Sequence, residues 1–266
     1  MPSVDILGTN RLPAIYLPHG GGPWHVMKDA FGAQADWDRL HDWLVAMGRK
    51  YRDRAKAILV ISAHWEETAP TVHVGKRPGM LYDYYGFPEA TYHLQWPAPG
   101  NPELAAQVAG LLQTAGFTTA TESERGYDHG TFVPLMVAFP EADIPVAQLS
   151  LVKGLDPETH LRVGAALAPL RDQGVLIIGS GMSYHNMRGF GQAVSLRISQ
   201  AFDEWLTETV GLGDSAERNR RLAAWEQAPH ARDCHPRSEH LLPLMVVAGA
   251  AGEDPGKGDF RNQLMG

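Results

Sequence analysis

Apolar residues along the chain follow two rhythms. One is continuous: Leu12–Leu17, Ile58–Ile61, Ile144–Leu151 and Val175–Ile178 are short, largely aliphatic runs of the kind that suits strands buried on both faces, and Thr71–Val74 reads as a further short strand. The other rhythm recurs every three or four residues. Trp37, Leu40, Leu44 and Met47 mark an amphipathic helix over 37–49, and Leu104, Val108, Leu111 and Leu112 mark a second. That second helix has Asn101 as its cap, Pro102 at its first position and Glu103 in its first turn. Asp156-Pro157 opens a helix running to about Arg171. Two helical segments follow between Gln192 and Gln227, the later one rich in Arg and Glu and expected to face solvent, and Leu241–Ala251 is an apolar helix. Strand, loop, helix, strand is the βαβ pattern, so the fold class is α/β with a mainly parallel sheet and successive strand-end loops at one edge.

The polar breaks are as informative as the runs. The first strand ends in Pro18-His19-Gly20-Gly21-Gly22-Pro23, the second in Ser62-Ala63-His64, and the last in Gly179-Ser180-Gly181-Met182-Ser183-Tyr184-His185-Asn186. Ligands of open α/β sheets bind outside the carboxyl ends of the strands, where these turns fall. A further histidine occupies the glycine-flanked stretch Gly126-Tyr127-Asp128-His129-Gly130, where the adjacent acid is placed to orient it. Ser238, taken as near the start of the last helix, puts Glu239 and His240 in its first turn. The other histidines, His25, His41, His73, His93, His160, His230 and His235, share no such placement and read as surface or core residues. Leu81–Pro99 is aromatic, Pro-rich and aperiodic. It either covers a site and offers aromatic faces to a ring or packs on the protein's own core.

Several chemistries are excluded by spacing. The glycines after His19 lack the lysine of a phosphate loop and the GxGxxG spacing, HExxH is absent, and the Ser180 turn does not meet G-x-S-x-G. The single cysteine, Cys234, excludes a disulfide framework and a Cys-rich zinc site. What remains is a nitrogen and oxygen donor set drawn from 12 histidines. It suits Zn(II), Fe(II) or Mn(II), with two histidines and a carboxylate or three to four histidines equally compatible with composition.

The 266 residues carry no linker-like stretch or charge run, so residues 1–266 are expected to form a single domain. A net charge of −7 argues against nucleic acid or an anionic membrane as partner. The N-terminal residues 1–13 lack a basic segment followed by a long apolar one, and no run reaches a membrane-spanning length, so a cytoplasmic location is expected. A homo-oligomer is compatible with the sequence.

Taken together and in order, His19-Gly20-Gly21, Ser62-Ala63-His64-Trp65-Glu66, Tyr127-Asp128-His129-Gly130, Ser183-Tyr184-His185-Asn186 and Ser238-Glu239-His240 resemble the class III extradiol ring-cleavage dioxygenases of the LigB superfamily. The resemblance extends to 91–105, 142–151 and 181–188, and is greatest to the 4,5-DOPA dioxygenase extradiol branch. It implies a single domain with helices on both faces of the sheet. His19 and His64 match the family's two metal-binding histidines, and the third ligand is either Glu239 or His240, with His240 preferred. His185 matches an acid/base beside the bound ring, and in zinc-loaded relatives it can itself close the metal sphere. His129 matches a group that helps hold substrate and oxygen. The implied metal is Fe(II), with Zn(II) as the other occupant, and the implied substrates are a small aromatic diol and O2.

Two other readings fit the same scaffold. A zinc-dependent hydrolase would consume no oxygen, and a non-enzymatic MEMO-like binding protein would be indifferent to loss of His185.

Overall fold

The computed structural model describes residues 11–27 and 32–263. The expectation for the N-terminal leader falls mostly outside them. Strands β1 (Ala14–Pro18), β2 (Ala57–Glu67), β3 (Thr71–His73), β4 (Ala120–Glu122), β5 (Val146–Val152) and β6 (Val175–Gly181) form one sheet in the order β1-β6-β2-β5-β3-β4. Every neighbouring pair is parallel except β3 with β5, joined antiparallel at Val72 and Leu149. The mainly parallel α/β architecture expected from the βαβ rhythm is therefore the observed one.

Alternate residues of the β2 run explain why it is apolar throughout. Ala57, Leu59 and Ile61 face a core built with α2 (Pro102–Thr114), α4 (Pro157–Leu167) and α8 (Leu242–Ala251). Ile58 and Val60 face a second core built with α1 (Gln34–Tyr51) and α3 (His129–Ala138). Helices cover both faces, as a parallel sheet requires. The caps read from sequence are present: the Asn101 side chain accepts from Leu104 N–H at 3.0 Å, and Asp156 accepts from Thr159 N–H at 2.8 Å.

The remaining helices are α5 (Ala193–Val210), α6 (Ser215–Ala223) and the single turn α7 (Ala231–Cys234). Four expectations change. β2 does not stop at His64; it continues to Glu67, with a register break against β5 between Ile61 and Glu66. Such a bulge re-aims side chains, and His64 sits within it. The helix from Pro157 ends at Leu167 and continues as a 3-10 segment, Ala168–Gln173. Glu239 and His240 lie in the turn before α8, not in its first turn, because Leu241 and Leu242 N–H groups bond back to the Ser238 carbonyl. α6 is not wholly solvent-facing: Arg218 is 1% exposed and donates to the carbonyls of Ala248, Gly252 and Asp254.

Glycines set how closely α8 approaches. A Cβ at Gly164 would lie 2.0 Å from the Val246 carbonyl oxygen, and one at Gly249 would lie 2.1 Å from that of Leu161, so α4 and α8 meet backbone to backbone. On the other side, a Cβ at Gly181 would lie 2.1 Å from the His240 carbonyl oxygen. The turn bearing His240 is thereby seated on the carboxyl end of β6.

Candidate metal centre

At that sheet edge the histidines expected from the strand ends converge. His19 follows β1, and its ring centroid lies 4.9 Å from that of His64, 5.1 Å from His240 and 5.2 Å from His129. His64 is 4.0 Å from His129 and 4.9 Å from His240. His185 lies against His240 at 3.3 Å with the planes 14° apart. All five candidate histidines thus occupy one cluster, along with Glu239.

Each imidazole is held from behind. His19 Nδ1 lies 2.7 Å from the Gly20 carbonyl; a carbonyl only accepts, so Nδ1 carries the hydrogen and Nε2 the lone pair. His240 Nδ1 donates in the same way to Glu239 Oε1 at 2.9 Å. The backbone of His240 is fixed because its carbonyl accepts from Tyr16 Oη at 2.7 Å and Met182 N–H at 3.0 Å. His64 is placed by its bulge, by its N–H to Ser62 Oγ at 3.2 Å, and by its carbonyl, which accepts from Arg125 at 2.9 Å. His185 N–H donates to the Cys234 carbonyl at 3.0 Å, and its Nδ1 lies 3.4 Å from Glu239 Oε1.

Consequently the Nε2 atoms of His19, His64 and His240 are buried and have no hydrogen-bond partner. The three side chains can offer ligand atoms that all lie within 4.8 Å of one another. Buried, unpaired nitrogens facing a common space cost free energy unless something accepts their lone pairs. A divalent cation of imidazole-binding type fits that donor set. Burial drives the protonation equilibria of His19 and His64 well below the ordinary histidine value, and the neighbouring histidines push the same way. His240 falls to about 4, chiefly from burial, although its bond to Glu239 opposes the shift. Ligands of a cation must be neutral, so these environments prepare the histidines for one.

Two carboxylates complete the cluster. Burial tends to raise the Glu239 pKa, but hydrogen bonds from His185 and His240 outweigh it and hold the group well below the carboxylate range. Asp83 was not singled out from the sequence. Its Oδ1 accepts from both the N–H and the Nδ1 of His129, at 2.9 and 2.8 Å, and its Oδ2 lies 3.6 Å from Nδ1 of His64. Asp128, expected to orient His129, instead caps α3 through Thr131 N–H and bonds Ser62 and Arg125. The only signal for Asp83 was an acid within the aromatic stretch of 81–87.

That stretch packs on itself and on the core. Tyr82 and Tyr84 donate to the carbonyls of Leu94 and Thr91, and Trp96 is buried with its indole donating to the Phe139 carbonyl. Tyr84 also lies 6.0 Å from the His129 ring, so the segment borders the cluster while packing on Phe132. Of the remaining histidines, His73, His160 and His235 are buried, and His235 is near enough to the cluster to feel the charges of His240, His185 and Glu239. A cavity of about 1070 Å³ lies between α1, α5 and the C-terminal tail, and none of the clustered histidines lines it.

Residues 13–266 match the family model described as the catalytic LigB subunit of aromatic ring-opening dioxygenase. The chain is 45% identical over 207 residues to 4,5-DOPA dioxygenase extradiol of Beta vulgaris, covering 77% of this chain and 76% of that protein. It is 38% identical over 258 residues to dioxygenase tasH of Hapsidospora irregularis, covering 91% and 79%. A crystal structure of an Escherichia coli K12 protein titled as uncharacterised superposes with a TM-score of 0.72 at 27% identity, over 96% of each chain. The chain therefore belongs to the LigB family of aromatic ring-opening dioxygenases, non-haem metal-dependent oxidoreductases.

Proposed function

We propose that this dioxygenase opens a small catechol, of the 3,4-dihydroxyphenyl class that includes DOPA, beside its diol, at an Fe(II) ion held by His19, His64 and His240. The observation that carries the reading is the set of three buried, unpartnered Nε2 atoms on three separate segments: just after β1, within β2 and in the turn before α8. An ion held by these three side chains alone would keep room for substrate and dioxygen. The names of the Beta vulgaris relative and of its namesake in Portulaca grandiflora, at 42% identity, support the substrate class. When bound, the metal acidifies the catechol hydroxyls and provides the place where dioxygen is activated.

The chain's own residues do the rest. His185 keeps its Nδ1 edge toward Glu239, so its Nε2 edge is the one available to take a hydroxyl proton from substrate and return it during ring opening. His129, with Nδ1 committed to Asp83, likewise has Nε2 to offer, and it stands against both His19 and His64. It holds substrate and oxygen in place. Glu239 acts behind the histidines, because its Oε1 is engaged by Nδ1 of His240 and faces that of His185. Zn(II) is the alternative occupant of the same donor set, and a zinc-dependent hydrolase would use it without oxygen.

The test is anaerobic loading with Fe(II) or Zn(II), followed by a panel of catechols with oxygen uptake and the yellow ring-opened product recorded together. Uptake with colour in the Fe(II) protein is expected. A zinc-loaded protein that turns over substrate without oxygen would replace this reading with hydrolysis.

A further inference from the structure

We propose that Asp83 is a positioning residue, a single carboxylate that fixes the tautomer of His129 and braces the back of His64, tying the proposed metal ligand to the histidine that faces substrate. It rests on the reading of His64 as a ligand given above.

The placement is built into the backbone. Met80 pairs in parallel with Tyr127, Leu81 N–H donates to the Tyr127 carbonyl at 2.8 Å, and Tyr127 N–H donates to the Gly79 carbonyl at 2.8 Å. This pairing runs the 79–83 segment alongside 127–129 and delivers Asp83 to the start of α3. Tyr82 and Tyr84, on either side, have their hydroxyls tied to the Leu94 and Thr91 carbonyls at 2.6 Å, so Asp83 has little freedom to swing away.

At the site the two oxygens are divided between two rings. Oδ1 takes both the backbone N–H and the Nδ1 of His129. An ionised carboxylate can only accept, so the His129 hydrogen sits on Nδ1 and the lone pair on Nε2. Oδ2 stands 3.6 Å from Nδ1 of His64, whose opposite nitrogen is the buried, unpartnered one. The side chain is only 20% exposed, which shelters these contacts from competing water. Glu239 serves the other pair through one oxygen, with Oε1 at 2.9 Å from His240 Nδ1 and 3.4 Å from His185 Nδ1. Two carboxylates thus each brace one proposed ligand and one neighbouring histidine. Partners behind ligating histidines fix tautomer and ring orientation in this way.

The test compares full-length wild type, Asp83→Ala and Asp83→Asn, with zinc affinity read by chelator competition and the His129 tautomer read by 15N NMR. Asp83→Ala is expected to weaken zinc binding by about 10–100-fold and to lose the Nδ1–H form of His129. Asp83→Asn preserves shape and an acceptor oxygen; it should keep that tautomer and still bind zinc more weakly, which guards against an alanine variant that fails to fold. Zinc affinity within about twofold of wild type in both variants, or an unchanged His129 tautomer in Asp83→Ala, would overturn the proposal. Wild-type protein that binds no divalent metal would instead sink the metal reading, while the tautomer measurement would still decide the role of Asp83.

Discussion

The ring of His185 lies flat against that of His240, with centroids 3.3 Å apart and planes 14° from parallel, and Glu239 Oε1 is shared between their Nδ1 atoms at 3.4 and 2.9 Å. With Nδ1 of His240 taken by Glu239, only Nε2 remains for a metal. The stack therefore sets a proposed ligand against a proposed acid/base group and gives both the same carboxylate.

Substitution should separate these roles. His185→Gln is expected to retain one divalent ion per chain and to lower turnover by about 10²–10⁴-fold. His240→Gln should lose bound metal as well as turnover, as should His19→Ala and His64→Ala. Elemental analysis of purified, Fe(II)-loaded variants beside oxygen uptake makes the distinction. A His185→Gln protein that emerges without metal would place His185 among the ligands.

Two glycines with the same crowding should behave differently. A Cβ at Gly181 would meet the His240 carbonyl oxygen at 2.1 Å, and a Cβ at Gly249 would meet that of Leu161 at 2.1 Å. Each alanine substitution is expected to cost about 1–3 kcal/mol of stability through overpacking. Only Gly181→Ala should also weaken metal binding, since it displaces the backbone of His240. Denaturant midpoints and zinc titrations of both variants check this, and equal zinc affinity in the two would contradict it.

Acid should destabilise the fold in part through His235. This residue is fully buried, donates from Nε2 to the Ser183 carbonyl at 2.9 Å, and has its pKa lowered from 6.5 to about 4, mainly by burial. Below pH 6.5 the unfolded chain binds a proton that the folded one refuses, so stability rises with pH across this window. The contribution is intact above that range and is lost as pH falls toward 4, on the order of 3 kcal/mol. His235→Gln should give a shallower fall in urea midpoint between pH 7 and pH 4; the residual slope includes the other histidines that burial shifts in the same direction, His19, His25, His64, His73, His160 and His240. An unchanged slope would show that His235 does not titrate with unfolding.

Much of the architecture was legible because parallel strands buried on both faces must be apolar throughout. Ile58–Ile61 and Val175–Ile178 announced β2 and β6, and the polar break after each run pointed to the edge where His64 and His185 meet. The extension of β2 past His64 was not legible, since a bulge depends on the register of the neighbouring strand. Neither was Asp83, whose approach to His129 arises from the pairing of Met80 with Tyr127, 47 positions apart in the chain. Asp128 shows the converse: adjacency to His129 suggested an orienting acid, but as the N-cap of α3 it turns back toward Thr131 and Ser62. Arg218 looked like surface in a charged helix, yet it collects three carbonyls near the end of α8, a use that only tertiary structure reveals.

The most direct test of the central claim is turnover of a 3,4-dihydroxyphenyl substrate by the Fe(II)-loaded protein under 18O2, with mass spectrometry of the ring-opened product. The account predicts that one product molecule carries both labelled oxygens, and that this product disappears in His64→Ala. Product with no label, or with a single labelled oxygen after exchange with water has been measured and corrected for, would contradict ring cleavage by insertion of dioxygen at this centre.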